Sequence, residues 1–87
     1  MVPRFYLHLC NGNGFIEDQV GHDCPTVADA RAAAVKALRK ALTEDLHAGN
    51  INVAAFIEIE DEERTHLETI HFEDAVSVKT ENSRRAR

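Results

Sequence analysis

The segment that most constrains the fold of this chain is residues 26–48, which is long and periodic enough to predict a helix without help from its neighbours. It holds eight alanines and no glycine or proline, and alanine is the strongest helix former. Thr26, with Asp29 three residues later, predicts an N-terminal cap. Gly49 followed by Asn50 predicts a left-handed stop at the other end.

At 100° per residue the larger apolar side chains of this helix share one narrow stripe, which predicts its buried face. The stripe comprises Ala28, Val35, Leu38, Leu42 and Leu46. Beside it runs a ridge of small residues, which we call the alanine ridge: Ala30, Ala34, Ala37 and Ala41. Because small side chains permit close approach of another backbone, the ridge has two interpretations. It packs on the chain's own sheet, or it pairs with a helix of a partner chain.

Short alternating apolar runs on both sides of the helix predict two β-hairpins. The expected strands are residues 4–10, 15–20, 55–60 and 65–72. The run Asn-Gly-Asn-Gly at 11–14 and four charged residues at 61–64 predict the turns. In the fourth strand the alternation breaks between Leu67 and Ile70, so we expect a bulge near residues 68–69.

The order β-β-α-β-β predicts the α+β class, with a four-stranded antiparallel sheet and the long helix packed on one face. A right-handed crossover places the third strand beside the first, which gives the strand order 2-1-3-4. Alternation along the strands then places Tyr6, His8 and Phe56 on the face that the helix leaves open. Exposed apolar patches often mark interaction sites, so we expect these three residues to belong to a protein-binding surface.

Length and charge bound the domain organisation and the class of partner. The 87 residues predict one domain over 1–78, followed by a disordered basic extension at 79–87. The formal net charge of −5 argues against binding to nucleic acid, because neutralising phosphates needs clustered Lys and Arg. The sequence has neither an apolar leader nor an apolar run long enough for a membrane span, so we expect a cytoplasmic protein with reduced thiols.

Histidine and cysteine residues supply the candidates for metal binding and catalysis. His22 and Cys24 lie close in sequence, and His66 and His71 are further candidate ligands. Their spacing matches neither a zinc finger nor an i, i+4 helical pair, so we expect surface histidines, no metal and no cofactor. Acidic surroundings disfavour a thiolate near His22. We therefore expect Cys10 and Cys24 to be small buried thiols, and we expect no enzymatic activity.

Several short motifs along the chain together resemble a known family. They are Pro3-Arg4-Phe5-Tyr6-Leu7-His8-Leu9, Gly12, Gly14, Glu17-Asp18, Gly21, Pro25, Ala30-Arg31-Ala32, Glu44-Asp45-Leu46, Ile57-Glu58-Ile59, Phe72 and Asp74-Ala75-Val76. Over roughly residues 3–78 the chain is similar to a family of short bacterial domains, common in alphaproteobacteria and described as a domain of unknown function. The resemblance implies no activity, cofactor or catalytic residue.

The chain departs from the pattern of this family at three places. It has Cys10-Asn11 where relatives tend to carry Arg-Asp, and Cys24 where an apolar residue is usual. It also has His71 where proline is common. A site that needs both cysteines or His71 would therefore be particular to this chain.

Together these observations predict a non-enzymatic binding or regulatory module that acts through protein–protein interaction as a homodimer. Its partner is a second copy or another protein, and neither nucleic acid nor a membrane is expected. One alternative is an antitoxin-like accessory protein that binds a toxin partner. A second alternative is a protein that binds a metal or a small ligand, with His22 and Cys24 as candidate contacts.

Overall fold

The structure is a computed structural model that describes residues 2–11 and 14–77. In chain order its elements are strands β1 (Arg4–Asn11), β2 (Gly14–Ile16) and β3 (His22–Asp23), helix α1 (Val27–His47), strands β4 (Phe56–Glu60) and β5 (His66–His71), and helix α2 (Phe72–Ala75). The predicted α+β class is confirmed, because one antiparallel sheet carries one long helix. The expected tail at 79–87 and the middle of the first turn lie outside the described residues.

Helix α1 begins and ends where the sequence predicts. Thr26 Oγ1 accepts a hydrogen bond from Asp29 N at 3.2 Å, which caps the first turn. At the other end Gly49 adopts a positive φ of 88°. Asn50 N then donates to Asp45 O at 2.9 Å, which satisfies a carbonyl of the last turn. Within the described ranges, neither helix combines the length and the apolar content that crossing a bilayer requires.

The sheet has five strands rather than the four that the sequence predicts. Along its main path the order is β2-β1-β4-β5, and β3 pairs with β1 on the same side as β2. The expected second strand at 15–20 is therefore wrong beyond Ile16. The chain leaves the sheet edge there because the Asp18 carboxylate accepts a hydrogen bond from Leu7 N at 3.1 Å, in place of a strand carbonyl. Pairing with β1 resumes at β3.

A β-bulge interrupts the pairing of β5 with β4, as the broken alternation of the sequence predicts. Glu68 pairs with Ile59 and His66 pairs with Glu60, so Leu67 is the extra residue. The bulge therefore lies one residue earlier than expected. Leu67 consequently keeps 39% of its surface exposed instead of entering the core.

The core lies between α1 and one face of the sheet, which we call the inner face. The helix contributes Ala30, Ala34, Leu38 and Leu42. The sheet contributes Phe5, Leu7, Ile57, Ile59 and Ile70. Helix α2 adds Phe72 and Ala75 to the same cluster. Both helices therefore pack on the inner face.

The buried side of α1 is rotated toward the alanine ridge, compared with the predicted stripe. Ala30 and Ala34 are fully buried, whereas Ala28 is exposed and Leu46 keeps 61% of its surface exposed. Alanine side chains let the helix lie close to the isoleucines of β4, with which they share the core. For the two buried alanines the ridge thus packs on the chain's own sheet. The other two ridge residues are half-buried.

Candidate functional site

The candidate site is the face of the sheet opposite α1, which we call the outer face. Strand register and alternation with the buried residues assign twelve side chains to it: Arg4, Tyr6, His8, Cys10, Phe15, Asp23, Phe56, Glu58, Glu60, His66, Thr69 and His71. Because both helices pack on the inner face, no helix of the described residues covers the outer face. It includes all three residues that the sequence predicts for an interaction surface.

An apolar row crosses the outer face at one level of the sheet. The register aligns four side chains from β2 to β5: Phe15, Cys10, Phe56 and His71. We call these four residues the aromatic row. The ring centroids of Phe56 and His71 lie 6.2 Å apart, and Phe15 keeps 57% of its surface exposed. The row gives the outer face an apolar band that spans four strands.

His8 corrects the expectation that all three predicted residues are exposed, because only 3% of its surface is accessible. Its Nδ1 accepts a hydrogen bond from Asp18 N at 3.0 Å. The ring proton therefore sits on Nε2, which donates to Glu60 Oε1 at 3.0 Å. The Phe15 ring lies beside the imidazole, with 5.6 Å between the centroids. Both nitrogens of His8 are thus engaged within the chain, and neither is free to act as a base or a ligand.

Asp18 holds the loop between β2 and β3 against β1. Its Oδ2 accepts a hydrogen bond from Leu7 N, and His22 Nδ1 donates to the same oxygen at 3.1 Å. Its Oδ1 accepts from Val20 N at 3.1 Å and from Gly21 N at 2.9 Å. Burial alone raises the pKa of the Asp18 carboxyl, but these backbone donors and the charge of His22 outweigh it, so the pKa lies below its ordinary value. Asp18 is therefore ionised at neutral pH.

The end of the outer face away from the aromatic row is polar. The guanidinium carbon of Arg64 lies 4.0 Å from the centroid of the Tyr6 ring, a cation–π contact. Arg64 Nη1 is also 3.8 Å from Glu60 Oε1. His66 Nε2 and Thr69 Oγ1 are 2.9 Å apart. Tyr6 is consequently half-buried beneath a cation instead of standing free.

Neither cysteine has the surroundings of a reactive thiol. Cys24 is buried, and Cys10 is half-buried within the aromatic row. Burial raises the pKa of the Cys10 thiol, and the charge of Glu58 raises it further. Burial also raises the pKa of the Cys24 thiol, together with the charges of Asp29 and Asp23. Both thiols therefore stay protonated at neutral pH.

The candidate metal ligands are not brought together. His22 is exposed and bonds to Asp18, whereas Cys24 is buried in the core. His66 and His71 lie at opposite ends of β5. Within residues 2–11 and 14–77, no group of three or more His, Cys, Asp or Glu side chains is placed to hold a metal ion.

Sequence reasoning missed three residues that shape the outer face: Asp18, Phe15 and Arg64. Asp18 falls within the strand expected at 15–20, although an aspartate two residues before Val20 and three before Gly21 is typical of a side chain that caps backbone N–H groups. The position of Phe15 follows once the pairing of Asn11 with Gly14 is known. No pattern in the sequence placed Arg64 over the Tyr6 ring.

A family model described as Domain of unknown function (DUF6894) matches residues 4–73, which is most of the 87-residue chain. The matched segment runs from the start of β1 into α2 and so contains the whole sheet and the long helix. No curated protein and no solved structure matches the chain. The chain therefore belongs to this family of domains of unknown function.

Proposed function

We propose that the chain is a non-enzymatic protein-interaction module that forms a homodimer through its outer face. The observation that carries the proposal is the aromatic row, which presents an apolar band on a face that neither described helix covers. Of the three residues predicted from the sequence, Tyr6 and Phe56 offer half-buried rings to such a partner. The third, His8, is buried and fixes the position of the Glu60 side chain on this face by a hydrogen bond.

The strand register favours a second copy as the partner, stacked on the outer face by a two-fold rotation. A two-fold axis parallel to the strands and between β4 and β5 lays Phe56 of one copy over His71 of the other, so the two aromatic rows overlap at their β4 and β5 ends. The same rotation lays β4, which carries Glu58 and Glu60, over β5, which carries His66 and His71. Glu60 of one copy thus lies over His66 of the other, where its carboxylate can accept a hydrogen bond from an imidazole N–H.

Two further observations support a role in binding rather than catalysis. Both nitrogens of the buried His8 are engaged in hydrogen bonds, and both thiols have raised pKa values. Neither thiol is therefore an activated nucleophile, and His8 offers neither of them a free base. We further propose a cytoplasmic location, where Cys10 and Cys24 stay reduced.

Light scattering on the purified chain tests the homodimer. The wild-type chain is expected to show twice its mass of 9.7 kDa. Phe56→Glu and His71→Glu place a carboxylate at the centre of the interface, and each is expected to give the single mass. Val53→Glu is the matched control, because Val53 lies outside the outer face and is 62% exposed. A wild-type monomer across the micromolar range, or equal behaviour of all three variants, would contradict the proposal.

The acidic turn between β4 and β5 favours a second candidate, an antitoxin-like accessory protein with a basic partner. Asp61, Glu62 and Glu63 lie together at this turn, beside the acidic strand β4. Such a cluster attracts a basic protein through long-range electrostatics. The test is co-purification of a basic partner from the native cell, with loss of that partner when Glu62 and Glu63 are both changed to Gln.

A further inference from the structure

A groove at the C-terminal half of α1 has no part in the outer face. It has a volume of about 370 Å³ and is open to solvent. Its apolar wall is formed by Leu42, Leu46, Ile51, Ala75 and Val76. Arg39 and Thr43 complete the lining. A groove of this size, mostly apolar with few polar groups, has the general form of a small-molecule site.

Arg39 differs from the other arginines of the described residues in its partner. Three of the four contact a carboxylate, in the pairs Arg4–Asp23, Arg31–Glu68 and Arg64–Glu60. Arg39 instead donates from Nε to the backbone oxygen of Ala75, at 2.6 Å. No carboxylate within the described ranges lies within ion-pair distance of it. Among the described residues, the guanidinium on the wall of the groove therefore has no carboxylate partner.

The bond to Ala75 O fixes the guanidinium at the groove and links α1 to α2. It uses Nε only, so no acceptor from residues 2–11 or 14–77 bonds to the edge formed by Nη1 and Nη2. A planar carboxylate matches that edge with two parallel hydrogen bonds. The Thr43 hydroxyl donates to Arg39 O at 2.8 Å, so its proton is not available to bind the same anion. The acceptor that fits is thus an anion with two coplanar oxygens.

We propose that this groove binds a small apolar carboxylate, such as a medium-chain fatty acid. The carboxylate pairs with Arg39, and the hydrocarbon chain lies along Leu42, Leu46 and Ile51. Leu46 and Ile51 keep 61% and 54% of their surfaces exposed. Covering them with a hydrocarbon chain removes this apolar surface from water, which supplies the second part of the binding free energy.

An NMR titration of the full chain with octanoate tests this site. Octanoate is expected to shift the backbone amide signals of α1 after Arg39, of Ile51 and of α2, with a dissociation constant on the order of 1 mM. The uncharged 1-octanol and the short acetate ion are expected to bind at least about tenfold more weakly, because each lacks one of the two contacts. Equal binding of octanoate and 1-octanol would overturn the role of Arg39.

Two variants and a matched control sharpen the titration. Arg39→Gln is expected to weaken octanoate binding by about tenfold or more. Since that change also removes the bond to Ala75, Ile51→Asp serves as a second variant, because it sets a repelling carboxylate on an exposed wall residue. Arg31→Gln removes an arginine outside the groove and is expected to leave binding unchanged.

Three outcomes would overturn the proposal. The first is saturation that is unaffected by both groove variants, and the second is a set of shifted signals that maps elsewhere. The third is the absence of octanoate binding to the wild-type chain. If its dimer also dissociates on Leu46→Glu, the groove is an interface between copies. Each outcome is separable from failure of the outer-face homodimer, because Phe56 is not among the residues that line the groove.

Discussion

The two faces of the sheet bury their side chains by different means. On the inner face, Ile57, Ile59 and Ile70 are at most 2% exposed because α1 lies over them. On the outer face, His8 is only 3% exposed although no helix of the described residues covers it. Its burial comes from neighbours within the sheet layer, a loop backbone and the Glu60 carboxylate. The side chains of the inner face are thus buried under an apolar helix. On the outer face, hydrogen-bonded neighbours bury His8, and the aromatic row is not covered by a helix of the described residues.

The largest expected effect is on the free energy of unfolding, when one side chain on each face is truncated to alanine. Ile59→Ala removes a fully buried side chain beneath α1 and is expected to lower the free energy of unfolding by about 4 kcal/mol. Phe56→Ala, on the outer face, removes a half-buried ring and is expected to lower it by about 1–2 kcal/mol. Urea denaturation at one protein concentration measures both. Equal losses would mean that both faces are closed in the same way.

The second prediction concerns Asp18, on which the polar closure of the outer face depends. Asp18→Ala leaves the N–H groups of Leu7, Val20 and Gly21 without their acceptor. We expect a loss of about 3 kcal/mol in the free energy of unfolding, since hydrogen bonds to a charged acceptor are the stronger ones. Asp23→Ala is the control, because Asp23 pairs with Arg4 at the exposed edge, and its loss is expected to stay below about 1 kcal/mol.

The pH dependence of stability gives an independent test of Asp18. Its pKa in the folded chain lies below the ordinary value of 3.8, so its stabilisation is fully present above that value and is lost as the pH falls through the lowered pKa. Asp18→Asn cannot titrate, and the stability difference from wild type is therefore expected to shrink as the pH falls below 4. A difference that stays constant between neutral and acidic pH would show that the charge of Asp18 does not stabilise the fold.

The third prediction compares two glycines that share a positive φ but differ in their surroundings. A Cβ atom at Gly21 would lie 2.6 Å from Arg4 Cγ and 3.2 Å from Tyr6 Cε2, whereas a Cβ at Gly49 would meet no atom within 4 Å. Both Ala variants bear the strain of φ near +90°, about 1 kcal/mol. We expect Gly21→Ala to lose about 2 kcal/mol in total, because Arg4 must also move. If the two variants unfold at the same denaturant concentration, the close contact of Gly21 with Arg4 and Tyr6 does not affect stability.

Local signals made the inner half of the fold predictable from the sequence. Caps, alanine content and flanking glycine determined the ends of α1, and alternation determined which residues of β1 and β4 face inward. These features depend on neighbours within a few residues. The rotation of α1 was predicted less well, because it depends on how closely Ala30 and Ala34 approach the sheet. That distance depends on the packing of the helix against the whole sheet, which a local sequence pattern does not describe.

The outer half was predictable only in part, since its contacts join residues far apart in the chain. Tyr6, His8 and Phe56 were placed on the correct face by alternation alone. Their burial could not follow from alternation, because His8 is covered by a bond to Glu60, which is 52 residues away. The loop at Asp18 replaced an expected strand for the same reason. Its carboxylate competes with a strand carbonyl for Leu7 N, and a propensity argument does not include that competition.

The smallest expected effect compares two pairs on the outer face that share Glu60. In a double-mutant cycle, His8→Ala and Glu60→Ala are expected to show a coupling energy of about 1 kcal/mol, because the bond is 3.0 Å long and one partner is buried. The pair of Arg64 with Glu60 is longer, at 3.8 Å, and its arginine is exposed. Its coupling is expected to stay below about 0.5 kcal/mol and to vanish at high salt. If the exposed pair couples as strongly as the buried one, the outer face is stabilised by surface charge rather than by the polar closure around His8.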